Sequence, residues 1–303
     1  MTRRALENGR QPSPLATLNA GGEMSGCLPS ESMIAQFLYR YKRRTEYLNY
    51  GGDIIYSWAA DYSRGSDNLK ILDIGFSEGR DLLSIKEHLP GKKVELFGVD
   101  CRNVSVAQAG AIGIRAVSMN IENEPLPFAD AHFDIVVANM VLEHTKEIFW
   151  IFSEISRTLK RKGVAIIGVP NLASLHNRLA LLIGQQPLCM RLFGSHVRGF
   201  TQPSFAHFIR QGGYFRLLQV RGANFYPFPS FISNVLARAL PTMAVALFFL
   251  VERTEKSGRF ISVLDDHDLG TPYFIGDWHR AKPRWKTDCR PAFSNESFRP
   301  PPP

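Results

Sequence analysis

Ile71-Leu72-Asp73-Ile74-Gly75-Phe76-Ser77-Glu78-Gly79 takes an apolar run straight into a turn with glycines four residues apart. An apolar strand that opens onto glycines lets backbone approach a ligand without side-chain obstruction. A helix pattern follows at once, with Leu82, Ile85 and Leu89 on one face and Pro90-Gly91 as its stop. Val94 to Val99 then reads as a second buried strand, which completes one βαβ unit. In an open parallel sheet, ligands bind beyond the carboxyl ends of the strands, so the exit of this first strand is where a site is expected.

Working outward, Leu69 to Pro170 alternates strand-like and helix-like patterns, the mark of a parallel sheet covered by helices. Ala116 to Met119 and Phe133 to Ala138 fit the third and fourth strands. Ile148, Ile151, Phe152, Ile155 and Leu159 recur at helical spacing within Lys146 to Leu159. Lys160-Arg161-Lys162-Gly163 reads as the cationic close of that helix, and Gly163 to Val169 as the fifth strand. Further on, helices suit Leu172 to Ile183, Pro203 to Gln211 and Ser230 to Leu240, and strands suit Phe215 to Val220 and Ala244 to Val251. The expectation is an α/β, Rossmann-like open sheet of about seven mostly parallel strands, with helices on both faces and the last strand antiparallel.

Residues 1–30 are rich in Gly, Pro, Ser, Asn and Thr and read as a disordered tail, and 31–66 as an N-terminal helical segment. The main domain is expected over 67–254, with 171–202 as a segment covering the substrate. A second disordered tail, 255–303, ends in Pro300 to Pro303.

The net charge of +8 raises the question of nucleic acid. The basic residues are dispersed, however, and the densest cluster, Arg40-Tyr41-Lys42-Arg43-Arg44, reads as one solvated helix face. Cys27, Cys101, Cys189 and Cys289 form no CxxC pair, so no metal site or disulfide framework is expected, and such usage suits a reducing cytoplasm. No apolar stretch follows the basic start Met1-Thr2-Arg3-Arg4, so no export signal is read. Phe231 to Val251 is interrupted by Asn234, Arg238 and Pro241, which argues against a membrane span and leaves only peripheral membrane contact open.

Charge decides between two ligands for the glycine turn. A dinucleotide site asks for G-x-G-x-x-G, which this loop lacks. Asp73 and Glu78 would repel a pyrophosphate and attract a cationic ligand such as the amino-acid end of S-adenosylmethionine. Asp100, at the end of the second strand, is placed to accept ribose hydroxyls, with a turn-capping role as the alternative.

The segments from Ile71 through Gly79, Leu126-Pro127-Phe128, Phe133 to Val137, Val141-Leu142-Glu143-His144 and Leu159 to Gly163 together resemble the class I methyltransferases, within them the type 11 group, over about 69–254. The resemblance implies S-adenosylmethionine as cofactor. Asp73, Gly75, Ser77 and Gly79 would then hold its methionine portion, Asp100 with the adjacent Cys101 its ribose, Asn120 and Ile121 its adenine edge, and Asn139 and Met140 the methyl-transfer side. Where this chain has Ser77 the family usually has a third glycine, and where it has Asn120 often an acid.

Glu143 and His144 are expected to have a capping or structural role where strand four leads into its helix rather than a catalytic one. His196 is a candidate general base for a hydroxyl acceptor, with fixing its own loop by hydrogen bonding as the alternative. The expected activity is methyl transfer to a small-molecule acceptor, which the Leu, Phe and Arg content of 171–202 would allow to be amphiphilic or anionic. The alternative is a catalytically silent binding module of the same fold, and a nicotinamide-dependent oxidoreductase is disfavoured by the missing phosphate fingerprint.

Overall fold

The computed structural model describes residues 51–266. Expectations for 1–50 and 267–303, the N-terminal tail, most of the N-terminal helical segment and most of the C-terminal tail, lie outside the described residues.

Seven strands form one sheet in the order β3-β2-β1-β4-β5-β7-β6: β1 Asn68–Ile74, β2 Lys93–Asp100, β3 Ile114–Ser118, β4 Phe133–Asn139, β5 Leu159–Pro170, β6 Phe215–Ala223 and β7 Ala246–Arg253. The first five run parallel, while β7 is antiparallel to both neighbours, Ile166 facing Leu250 and Val220 facing Phe249. The strand order reverses between β1 and β4, so their carboxyl ends open the crevice in which an open sheet binds ligands.

Strand alternation sends side chains to two separate cores. Leu69 and Ile71 meet helices α1 (Gly52–Tyr62), α2 (Arg80–Glu87) and α3 (Asn103–Ala109) on one face. Leu72 and Ile74 point to the other, where α4 (Ile148–Thr158) and α6 (Gln202–Arg210) bury Phe152, Ile155, Phe205 and Ile209. The remaining helices are α5 (Leu175–Leu182) and α7 (Ser230–Ala239). Residues 246–251, the apolar run weighed against a membrane span, are an inner strand buried on both faces. Among the described residues no helix is long and apolar enough to cross a membrane.

Four local readings shift. The cationic run 160–163 does not close a helix: β5 already begins at Leu159, and the register jumps from Phe133 opposite Leu159 to Ile135 opposite Val164, so those residues bulge. Asp134 supplies the reason, since its carboxylate draws in Lys160 Nζ at 2.7 Å while Lys162 takes a left-handed φ of 62°. The third strand sits slightly earlier than expected, at Ile114–Ser118. On the N-terminal side α1 is part of the domain, with Ile55 and Trp58 buried and Trp58 Nε1 donating to Gln219 Oε1 at 3.0 Å. On the C-terminal side the fold continues past Thr254: Phe260 is fully buried against Phe152, Phe208 and Phe215, and Arg253 donates to the carbonyls of Ser156, Tyr214 and Lys256. The Leu126-Pro127-Phe128 segment is pinned by buried Arg157, which donates to the Leu126 and Phe128 carbonyls and pairs with Glu154. The expected covering segment is closed at its base, where Asn171 bridges Phe200 and Leu172 N donates to the Phe200 carbonyl at 2.8 Å.

Candidate cofactor and acceptor site

The turn after β1 is built from left-handed backbone. Gly75 has φ 76° and Gly79 φ 75°, and Gly79 N closes the turn on the Phe76 carbonyl at 2.7 Å. A Cβ on Gly75 would lie 2.9 Å from Val141 Cγ2, so that position needs glycine for space as well as for φ, whereas Gly79 faces the movable tip of Ile114 and needs glycine for φ. Ser77 is also left-handed, at φ 52°, a conformation that costs a non-glycine residue roughly 1–2 kcal/mol. The residue where the family has glycine thus keeps the glycine-like backbone. Its hydroxyl accepts from Arg102 Nη2 at 2.5 Å, and its N–H donates to Asp100 Oδ2 at 2.9 Å.

Asp100 is buried at the end of β2, its other oxygen accepting from Arg102 N at 2.8 Å and Arg102 Nε at 3.3 Å. Each carboxylate oxygen has two lone pairs, so Oδ1 is filled by Arg102 and Oδ2 keeps one acceptor site, enough for a single ribose hydroxyl. The capping alternative is therefore realised, and it orients the carboxylate while leaving it acceptor capacity.

Asp73, only 3% exposed, has its pKa raised well above the carboxylate norm by burial, then by the charges of Asp81 and Asp100. Asp81, in the first turn of α2, is raised by burial as well, against the lowering effects of a hydrogen bond from Asn139 and the charge of Arg80. The Asn139 amide donates to Asp81 Oδ2 at 2.8 Å, while Asn139 Oδ1 is buried without a hydrogen-bond partner. Among the described residues no ion pair reaches Asp73. Asp100 is already paired with Arg102 at 3.3 Å, so Asp73 and Asp81 beside the sterically cleared turn are the carboxylates that a cationic ligand would neutralise. The sequence reading does not single out Asp81, although an acid two residues after Gly79 in a first helical turn is the available signal.

Asp73, Gly75, Ser77, Gly79 and Asp100 are thus brought together, and Asn139 joins them through Asp81. Met140 follows at φ 53°, its N–H donating to the Gly168 carbonyl at 2.9 Å. Asn120 lies beside Asp100, since Met119 N donates to the Asp100 carbonyl. Its side chain is exposed and its Oδ1 caps the turn by accepting from Glu122 N at 3.0 Å. Ile121 is half-buried on the core, and Cys101 is exposed.

The strand-four turn differs from expectation. Glu143 sits in a 3-10 turn, Leu142–His144, and makes no cap; the backbone N–H groups of Lys146 and Glu147 donate instead to Glu122 Oε1. Glu143 is 2% exposed, its pKa is pushed up to about 7 by burial, and its Oε2 has no hydrogen-bond partner. Across from it stands the candidate base His196, its ring 4.8 Å from that of His144 in an edge-to-face arrangement. His196 Nδ1 lies 2.8 Å from the Cys189 carbonyl, so the loop-fixing role is present.

Residues 72–167 match the family model described as "Methyltransferase domain", the type 11 group, over just under a third of the chain. The match spans β1 to β5, and the seven-stranded, mostly parallel sheet around it is consistent with the Rossmann-like methyltransferase fold. No curated protein sequence matches significantly. Solved structures that are similar include a Haloferax volcanii putative methyltransferase in complex with the Trm112 activator, at 14% identity over 72% of this chain and 95% of that one, TM-score 0.48. An S-adenosylmethionine-dependent methyltransferase from Archaeoglobus fulgidus is 16% identical over 72% and 99%, TM-score 0.46. The [4+2]-cyclase SpnF is 16% identical over 67% and 81%, TM-score 0.48. With all three TM-scores below 0.5, their activities and partners are not carried over to this chain.

Proposed function

We propose that this chain is an active methyltransferase that binds S-adenosylmethionine at the β1 exit and methylates a small acceptor with apolar and anionic parts. The observation that carries the reading is the cleared left-handed turn beside Asp73 and Asp81, a donor set suited to a cation and hostile to a phosphate. The methyl donor supplies an activated methyl on a sulfonium, and the protein's task is alignment. In this reading Asp73 and Asp81 face the positive end, Asp100 holds a ribose hydroxyl, and Asn139 and Met140 border the transferring methyl.

The acceptor class rests on the opposite half of the domain. Between Ile155 and Val251 every charged residue is basic, and Leu182, Leu192, Phe193 and Phe231 are strongly exposed there. Exposed apolar side chains on a stretch of chain that carries cations and no acid favour an amphiphilic acid.

Calorimetry with S-adenosylmethionine tests the first half. Binding in the micromolar range that is lost in Asp100→Ala supports the reading, and no heat at millimolar cofactor would sink it. Ser77 and the turn-bound Asn120 amide favour, as the second reading, a silent module that binds without turnover. Labelled methyl transferred to any component of a host extract, and lost in Gly75→Arg, excludes that module.

A further inference from the structure

We propose that Glu143, His144 and His196 form a binding site for a divalent first-row transition metal ion. Each brings one ligand atom within 4.8 Å of the others, the arrangement made by two imidazoles and one carboxylate. Donors around such an ion, at bonds of about 2.1 Å, lie roughly 3–4 Å apart, so small side-chain rotations bring these three into range. His144 Nε2 and Glu143 Oε1 are already 3.9 Å apart.

Three features go beyond proximity. First, a carbonyl oxygen only accepts, so the approach of His144 Nδ1 to the Ser195 carbonyl at 3.2 Å and of His196 Nδ1 to the Cys189 carbonyl at 2.8 Å places the ring proton on Nδ1 in both. The lone pair of each ring is then on Nε2, and a backbone carbonyl behind each imidazole is the usual outer support of a ligating histidine. Second, Glu143 Oε2 is buried with no hydrogen-bond partner, a cost that a protein removes by giving the carboxylate a cation. Third, the segment that carries His196 is fastened to the ligand turn itself, since Val197 N and Arg198 N both donate to the Glu143 carbonyl, at 2.8 and 3.2 Å. His144 and His196, fifty-two positions apart in the chain, are thereby closed into one preorganised constellation.

The donor set selects the ion. Imidazole suits zinc, iron, nickel and copper, whereas magnesium and calcium prefer oxygen ligands throughout. Three protein ligands leave at least one position open on a four-coordinate ion. Glu143 follows Met140 by three residues, so, on the methyltransferase reading, an acceptor oxygen filling that position would be held beside the methyl-transfer side. The binding of the metal itself does not depend on that reading.

The test uses tag-free full-length chain, stripped with chelator and titrated with Co2+, whose visible absorption reports a protein-bound ion. The expected result is one equivalent of Co2+, displaced by Zn2+, with affinity roughly hundredfold or more weaker in His196→Ala and in Glu143→Gln, since losing even an outer support commonly costs ten- to hundredfold. Asp100→Ala should take up Co2+ as the parent does. S-adenosylmethionine calorimetry on the same samples reports folding of the metal variants independently. Absence of stoichiometric Co2+ uptake by the parent, or equal uptake in both folded metal variants, overturns the site. A parent that binds Co2+ but no S-adenosylmethionine removes the cofactor reading and leaves the metal site standing, while the converse removes the metal site alone.

Discussion

From Asp67 to Glu154 the chain carries fourteen Asp and Glu residues and eight Lys and Arg; from Ile155 to Val251 it carries eleven Lys and Arg and no acid. The first stretch contains the parallel strands β1 to β4, and the second contains the antiparallel end of the sheet and the segment 171–200. One sheet thus joins an acid-rich stretch of chain to a stretch rich in cations, with Glu252 just beyond it on β7 pairing Arg216 of β6. The acidic half concentrates carboxylates at the site proposed for a cationic methyl donor, at a cost visible in the raised pKa of Asp73 and Asp81. The basic half has no such focus. Several of its cations are already paired, Arg157 with Glu154 and Asp130, Lys160 with Asp134 and Arg216 with Glu252, while Leu182, Leu192, Phe193 and Phe231 are strongly exposed.

The division is open to attack by substitution. The largest effect is expected from Gly75→Val, which puts a branched side chain at φ 76° and into Val141. S-adenosylmethionine binding should fall beyond calorimetric detection, and the urea midpoint should drop by the equivalent of ~2–3 kcal/mol, as expected for strain combined with overpacking. Next comes the basic half. Phe193→Glu should leave cofactor affinity within twofold and raise the KM for an amphiphilic acid acceptor about tenfold, the scale on which one aromatic ring covered by a ligand contributes. Equal weakening of both would dissolve the distinction between the halves.

Asp73→Asn separates stability from binding. The folded pKa of Asp73 lies above its unfolded value, so ionising it penalises the fold, and the penalty grows as pH rises from the ordinary carboxylate range toward the raised value. The variant should match the parent in urea unfolding at about pH 3 and exceed it at about pH 8, while binding S-adenosylmethionine more weakly. A variant less stable than the parent at the higher pH would show that the acidic half is not strained. The smallest change is expected from Ser77→Gly. Relief of the left-handed φ and removal of the Arg102 bond oppose each other, each of order 1 kcal/mol, so the thermal midpoint should move by only a few degrees.

The same halves differ in how far their roles are legible in the sequence. In the acidic half, chemistry is local: Asp73, Gly75 and Gly79 fall within seven residues, and Asp100 follows at the next strand end, so periodicity and spacing locate them. Asp81 escapes because a first-turn acid is common on helices and only the fold shows it turned toward Asn139. Glu143 and His196 escape as a pair because they are fifty-three residues apart and meet through backbone bonds that no spacing rule encodes. The bulge at 160–163 is hidden because a run of cations before a glycine is also a helix ending, and the competing partner Asp134 lies on another strand. Phe260 and Val263 read as part of a tail because the apolar patch they belong to is short and set between the polar residues 254–259 and Asp265-Asp266.

The clip at Asn171 and Phe200 makes the intervening stretch an insert with a single closed base, tied to the rest of the domain mainly through the Glu143 carbonyl. Its two ends already lie side by side on the body of the domain, so a short connector between them need bridge only neighbouring backbone. A chain shortened in this way should keep the sheet and the donor-binding end, and inserts of other lengths could be exchanged on the same base to redirect which acceptor is taken.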